Sequence, residues 1–161
     1  MIVVSDTSPI SALFRIGELH LLPQLYGEII VPFAVMGELL ELEKSGVDIG
    51  LIKQATWLVS IKVKEQKQVD HLLLDLDLGE AEAIILAKEL NADWLLIDES
   101  KGRKHAKIEG LHVIGLLGVF LLAKENGVIT DVKPYVQKLI SIANFRITNE
   151  LFERILFLAK E

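Results

Sequence analysis

Ile2-Val3-Val4-Ser5-Asp6-Thr7-Ser8-Pro9 opens the chain's organised part and decides how the rest is read. Four apolar or small residues, two of them β-branched valines after an isoleucine, predict a short buried strand. The strand stops at an aspartate. Ser8 as N-cap and Pro9 as first helical residue then predict a helix over 9–16. In an open α/β sheet the functional crevice lies beyond the carboxyl ends of the strands, so this reading places Asp6 at the crevice. The alternative is a plain helix cap, a common use of aspartate.

Working outward, the pattern alternates. Strands are predicted at 2–5, 29–31, 57–63, 94–97 and 112–114. Between them lie helices at 9–16, 18–26 (broken by Pro23 and closed by Gly27), 32–44 with Pro32 at its first position, 66–74, 79–90 and 101–109. One or two turns are predicted over 49–55. A hydrophobic helix over 116–125 and two amphipathic helices over 135–143 and 149–160 complete the chain. Strands separated by helices imply an α/β protein with a mostly parallel sheet and helices on both faces. No internal repeat, linker or low-complexity tract is present. At 161 residues the chain reads as one domain, in which the helices after about residue 130 pack on the core or carry a dimer or partner interface.

Bulk composition narrows the class. Apolar residues make up 51% of the chain, enough for a full core. Mean hydropathy is +0.41. The longest nearly apolar run, Leu111 to Ala123, includes His112 and two glycines and falls short of the roughly 18–20 residues of a spanning helix. No basic segment precedes the first apolar run, and Asp6 interrupts that run, so a signal peptide is not expected. There is no cysteine, hence no disulfide and no thiolate metal site. The chain reads as cytoplasmic, with no membrane partner. A net charge of −6 argues against a protein that coats duplexes and allows a carboxylate cluster that collects cations.

Four positions for an acid are informative, the last of them shared by two candidates. Asp6 follows the first strand, and Asp98 follows the fourth in Leu95-Leu96-Ile97-Asp98-Glu99. Glu38 has Val35 and Leu42 as helical neighbours and so lies against the predicted buried stripe. Glu80 and Glu82 open a helix with the apolar centre Ala83-Ile84-Ile85-Leu86-Ala87. Glu80 faces the more apolar side, although an acid in a first turn also serves the helix dipole. Carboxylates gathered from separate segments suit a hard divalent cation such as Mg²⁺ or Mn²⁺. Beyond Asp98, the stretch Ser100 to Ile108 carries Lys101, Arg103, Lys104 and Lys107 and no acid. It reads either as a phosphate grip or as an ordinary solvated face. The four histidines share no ligand spacing, and there is no phosphate-cradling glycine loop and no nucleophile elbow.

These stretches resemble the PIN-domain superfamily of small metal-dependent nucleases, specifically the short prokaryotic VapC-toxin-like proteins. The resemblance rests on Val3 to Pro9, Val31-Pro32 through Val35 to Glu38-Leu39, Leu78-Gly79-Glu80-Ala81-Glu82-Ala83-Ile84, and Ala92-Asp93 through Leu96-Ile97-Asp98-Glu99. It implies a three-layer α/β/α sandwich with a central parallel sheet. It implies Asp6, Glu38, Glu80 and Asp98 as catalytic metal ligands, with Thr7 or Ser8 supporting the first aspartate. Activity is then expected to be Mg²⁺- or Mn²⁺-dependent cleavage of RNA, with Lys101, Arg103 and Lys104 on the phosphates and Glu99 beside the fourth acid. A toxin–antitoxin pairing and a homodimer are implied too. The sequence departs from the family pattern at the third acid, normally an aspartate, so Glu82 stays open for that role. It departs again where Ile97 stands in place of a threonine before Asp98. Those departures carry an alternative, a weak or inactive PIN-like module that binds RNA or a partner protein. A receiver or a haloacid-dehalogenase-type phosphatase fits less well. The third strand ends in Lys62-Val63-Lys64-Glu65 without the receiver's aspartate, and Asp6-Thr7-Ser8 is not Asp-x-Asp-x-Thr.

Overall fold

The computed structural model describes residues 1–161. Five strands form one sheet: β1 (Val3–Ser5), β2 (Ile29–Pro32), β3 (Leu58–Ile61), β4 (Trp94–Leu96) and β5 (Val113–Ile114). Their order is β3-β2-β1-β4-β5, and every neighbouring pair is parallel. The chain lays down β1, β2 and β3 in one direction, then returns to place β4 on the other side of β1. That reversal is the topological switch point, where such sheets open a crevice at their carboxyl edge.

The helices are α1 (Thr7–Arg15), α2 (Leu21–Tyr26), α3 (Phe33–Glu41), α4 (Gly50–Lys53), α5 (Gln66–Leu72) and α6 (Leu78–Glu89). They continue with α7 (Ser100–Ile108), α8 (Leu116–Glu125), α9 (Lys133–Ser141) and α10 (Asn149–Leu158). Period-2 alternation sorts the strands onto two cores. Val3, Ile29, Val31 and Leu96 face the cluster that includes α1, α2, α8 and the two last helices. Val4, Leu95 and Ile97 face the cluster built on α5, α6 and Ala106 of α7. Layers of helix, sheet and helix follow directly. The unbroken apolar stretch of α6 makes sense here, because Ala81 and Ala83 through Ala87 are all buried.

Boundaries differ from the sequence reading at the two helix starts that matter for the crevice. α1 begins at Thr7 with Asp6 itself at the N-cap, so Ser8 and Pro9 lie inside the first turn. Proline is tolerated there because first-turn amides have no intrahelical partner. Pro32 ends β2 and caps α3 instead of opening it. Both strands thus run into their helices with no intervening loop. Asp6 is further tied down by its amide, which donates to the Leu96 carbonyl at 2.9 Å. α9 and α10 pack on the core through Val136, Leu139, Ile155 and Ala159. No helix is long and apolar enough to cross a membrane.

Candidate functional site

Asp6 is 3% exposed, at the junction of β1 and β4. Burial pushes its carboxyl up to about 7, the nearby charges of Glu80, Asp77 and Glu38 push the same way, and the Thr7 amide opposes them. A buried acid surrounded by acids is held there only because β1 and α1 determine its backbone position.

Glu38 comes from the second turn of α3. Its carboxylate accepts the Thr7 hydroxyl, so the Thr7 side chain serves Glu38 while its backbone amide acts on Asp6. Glu38 is exposed rather than packed in the stripe, because Val35 and Leu39 take the buried positions and leave it at the stripe's edge. Gly79 matters for the same carboxylate. A Cβ there would stand 2.6 Å from Glu38 Oε1. Only glycine at the start of α6 leaves room for Glu38 in its observed place.

Glu80 is buried, and its carboxyl is raised by burial first and then by Asp77, Glu99 and Glu38. It also takes part in a capping box. Asp77 Oδ1 accepts the Glu80 amide at 2.8 Å, and Glu80 Oε2 accepts the Asp77 amide at 3.3 Å. The Asp-x-x-Glu spacing is the signal for this box in the sequence, and a helix started at Gly79 leaves Asp77 outside it. Glu82 has a different occupation: its Oε2 accepts the Ala34 amide at 3.0 Å, anchoring the start of α3. This separates two acids that look interchangeable in sequence. Glu80 stands in the field of Asp6 and Glu38, whereas Glu82 holds the helix that carries Glu38.

Asp98 follows β4 and turns toward α8. Its Oδ1 accepts the Leu116 amide at 2.9 Å, capping the start of that helix. Oδ2 is buried without a hydrogen-bond partner. Burial raises its carboxyl, Glu99 adds to the rise, and the Leu116 amide and Arg103 oppose it. Arg103 points inward, donating to the Ile97 carbonyl at 3.0 Å. A Cβ on Gly115 would collide with both, 2.7 Å from Asp98 Oδ1 and 2.9 Å from Arg103 Nη1. Glu99 is the exposed N-cap of α7, and Lys101 and Lys104 are exposed on that helix. Ser8 is exposed and makes no side-chain hydrogen bond; it lines a cleft of about 680 Å³ beside Asp98 and Glu99.

The fold therefore brings Asp6, Glu38 and Glu80 into one another's fields and sets Asp98 on the neighbouring strand. No group of three or more His, Asp or Glu side chains is placed to hold a metal ion. The donor chemistry nevertheless fits a hard cation. It is all carboxylate oxygen, and Asp6, Glu38 and Glu80 repel one another in the absence of a counter-charge.

Comparison with known proteins gives the family and supports the fold. The family described as PIN domain (DUF3368) matches residues 2–161. The chain belongs to the PIN-domain family. No curated protein matches its sequence. It is similar in structure to a PilT N-terminus domain protein from the hyperthermophilic archaeon Sulfolobus solfataricus P2, at 22% identity and a TM-score of 0.51. The match covers 74% of this chain and 90% of the other. That likeness speaks to the fold: the central parallel sheet with helices on both faces. PIN domains are generally nucleases and usually bind divalent metals, which gives the acidic crevice of this PIN domain its context.

Proposed function

We propose that this PIN domain is an endoribonuclease dependent on Mg²⁺ or Mn²⁺. The observation that carries the reading is the buried Asp6 carboxylate at the switch point, raised by its acidic neighbours Glu80 and Glu38 as well as by burial. Asp6, Glu38, Glu80 and Asp98 would hold the cation. When bound, the cation supplies activation of a water and neutralisation of charge on the phosphodiester. The chain's own residues do the rest. Thr7 orients Glu38 by hydrogen bond, and Glu82 holds the start of α3. Asp77 aligns Glu80, and the Leu116 amide orients Asp98 through Oδ1. Exposed Lys101 and Lys104 draw the polyanion toward the crevice.

Asp6→Asn tests this directly. Cleavage of a labelled RNA oligonucleotide in Mn²⁺ should fall by at least about 100-fold, the loss of some 3 kcal/mol of transition-state stabilisation. A variant that cuts as fast as the parent would sink the proposal. The alternative, a PIN module that binds RNA or a partner without cutting, is favoured by the engagement of Glu80 in its capping box. It is the outcome if the parent binds RNA and gains no melting temperature from Mn²⁺.

A toxin-like role, with an antitoxin protein as partner and a homodimer as the resting form, belongs to the same proposal. It is supported by apolar side chains left in solvent on α10, with Phe157 81% and Leu158 54% exposed.

A further inference from the structure

The cleft of about 680 Å³ beside the acidic crevice has walls that the catalytic reading does not use. One wall is α1, through Ser8, Ser11 and Arg15. Another part of the lining is the connection between α9 and α10, through Asn144, Phe145 and Arg146. Asp98 and Glu99 line it as well. Two of the chain's four arginines therefore face one cavity. Neither forms an ion pair or a side-chain hydrogen bond, whereas Lys44, Lys53, Lys88, Lys124 and Lys138 each pair with a carboxylate. Lys101 and Lys104 do not line it.

Arg146 is held in place by its own segment. Asn144 takes the left-handed backbone conformation, φ 54°. The next residue, Phe145, donates its amide to the Leu139 carbonyl at 2.9 Å and packs its ring on the main core. The sharp turn anchors Phe145 and so directs its neighbours at the cleft. A guanidinium forks onto two phosphate oxygens, which an ammonium does not do. Hydroxyls at Ser8, Ser11 and Ser100 supply neutral donors around the same volume.

We propose that this cleft is a phosphate-binding subsite for a single RNA strand, gripped by Arg15 and Arg146 from two separate elements that line it. The RNA identity rests on the nuclease reading, and the cleft's own claim is that the last two helices build part of the substrate site. A strand lying there would pass Glu99 and Asp98 on its way into the crevice. The tail is then a wall of the enzyme as well as a surface for partners.

Binding without cleavage separates this claim from the nuclease reading. The full chain is titrated with a fluorescein-labelled single-stranded RNA oligonucleotide of mixed sequence in EDTA, over a range of salt. Each lost phosphate contact flattens log K against log[salt] by about 0.7 for a single strand, so Arg15→Gln/Arg146→Gln should flatten it by about 1.4. Lys62→Gln/Lys64→Gln removes the same charge at the far edge strand and should leave the slope at the parental value. Arg15→Lys/Arg146→Lys should restore the slope but not the full affinity. An unchanged slope in the arginine-to-glutamine pair, an equal loss in the lysine pair, or a parent that binds no RNA overturns the subsite. RNA cleavage by the parent in Mn²⁺ together with an unchanged slope would leave the nuclease standing and the subsite refuted. Arginine-dependent binding with no cleavage would do the reverse.

Discussion

Asp6 carries the tension of the site in one carboxyl group. Its ordinary pKa of 3.8 rises to about 7 in the fold, so the native state keeps a proton that the unfolded chain releases. Between those values the native state binds more protons, and stability falls as pH rises. The metal-free parent in EDTA should thus lose stability from about pH 4 to pH 7, by an amount of order 4 kcal/mol, given about 1.4 kcal/mol per unit. Asp6→Asn, having no such proton, should show a flatter profile by thermal melting across the same range. Equal slopes would mean that Asp6 is ionised throughout. Gly79 offers a second test at this scale. Gly79→Ala should displace the Glu38 carboxylate, the flexible end of an exposed side chain, so the fold yields cheaply. Helix propensity favours alanine by about 1 kcal/mol. Melting temperature should therefore hold or rise while Mn²⁺-dependent cleavage drops. A large fall in melting temperature would show that the site cannot adapt.

At the scale of elements, acids act as fasteners as often as they act as ligands. Asp77 caps α6, Glu82 ties α3, and Asp98 caps α8. Glu161 does the same for α9, accepting the amides of Val132 at 2.7 Å and Lys133 at 3.1 Å, and pairing with Lys124. Burial by itself would raise its carboxyl, but those amides and Lys124 together hold it below the usual carboxylate range. A lowered carboxyl stabilises the fold above its unfolded pKa, and the gain disappears as pH falls through the folded value. Glu161→Gln should cost about 1–2 kcal/mol at pH 7 by denaturant unfolding, with the difference from the parent closing in acid. A cost that persists unchanged in acid would assign the effect to packing.

The elements also show why part of the site is legible in the sequence and part is not. Each acid of the proposed set stands where an apolar strand or stripe runs into it, and that pattern is local. The third acid is ambiguous between Glu80 and Glu82, since two residues of the same type in one turn differ only in what other elements bring to them. Ala34 reaches Glu82, and Asp6 and Glu38 stand near Glu80. Arg103 reads as a phosphate grip in a basic run, and only the sheet shows that Ile97 and Asp98 turn it inward.

For the whole molecule, the open question is what meets the last two helices. Their inner sides complete the main core. Their outer side leaves Phe157 and Leu158 in water, at the end of α10 remote in sequence from the Arg146 segment. If two copies pair there, light scattering should give twice the 18.0 kDa of the chain, and Phe157→Asp should halve it. A parent of single-chain mass would exclude the homodimer.

The sequence by itself determined the alternation of strand and helix, hence the parallel sheet with two helical layers, because period and punctuation are local properties. It also determined which strands end in aspartate. The tertiary structure alone decided that β4 lies beside β1, which sets the segment carrying Asp98 next to the one carrying Asp6. It alone decided which glutamate fastens a helix and which faces the crevice. It alone brought Arg146, far along the chain from Arg15, into the lining of the same cleft. The reason is physical: charge and burial depend on distance in space, and only packing converts distance along the chain into distance in space.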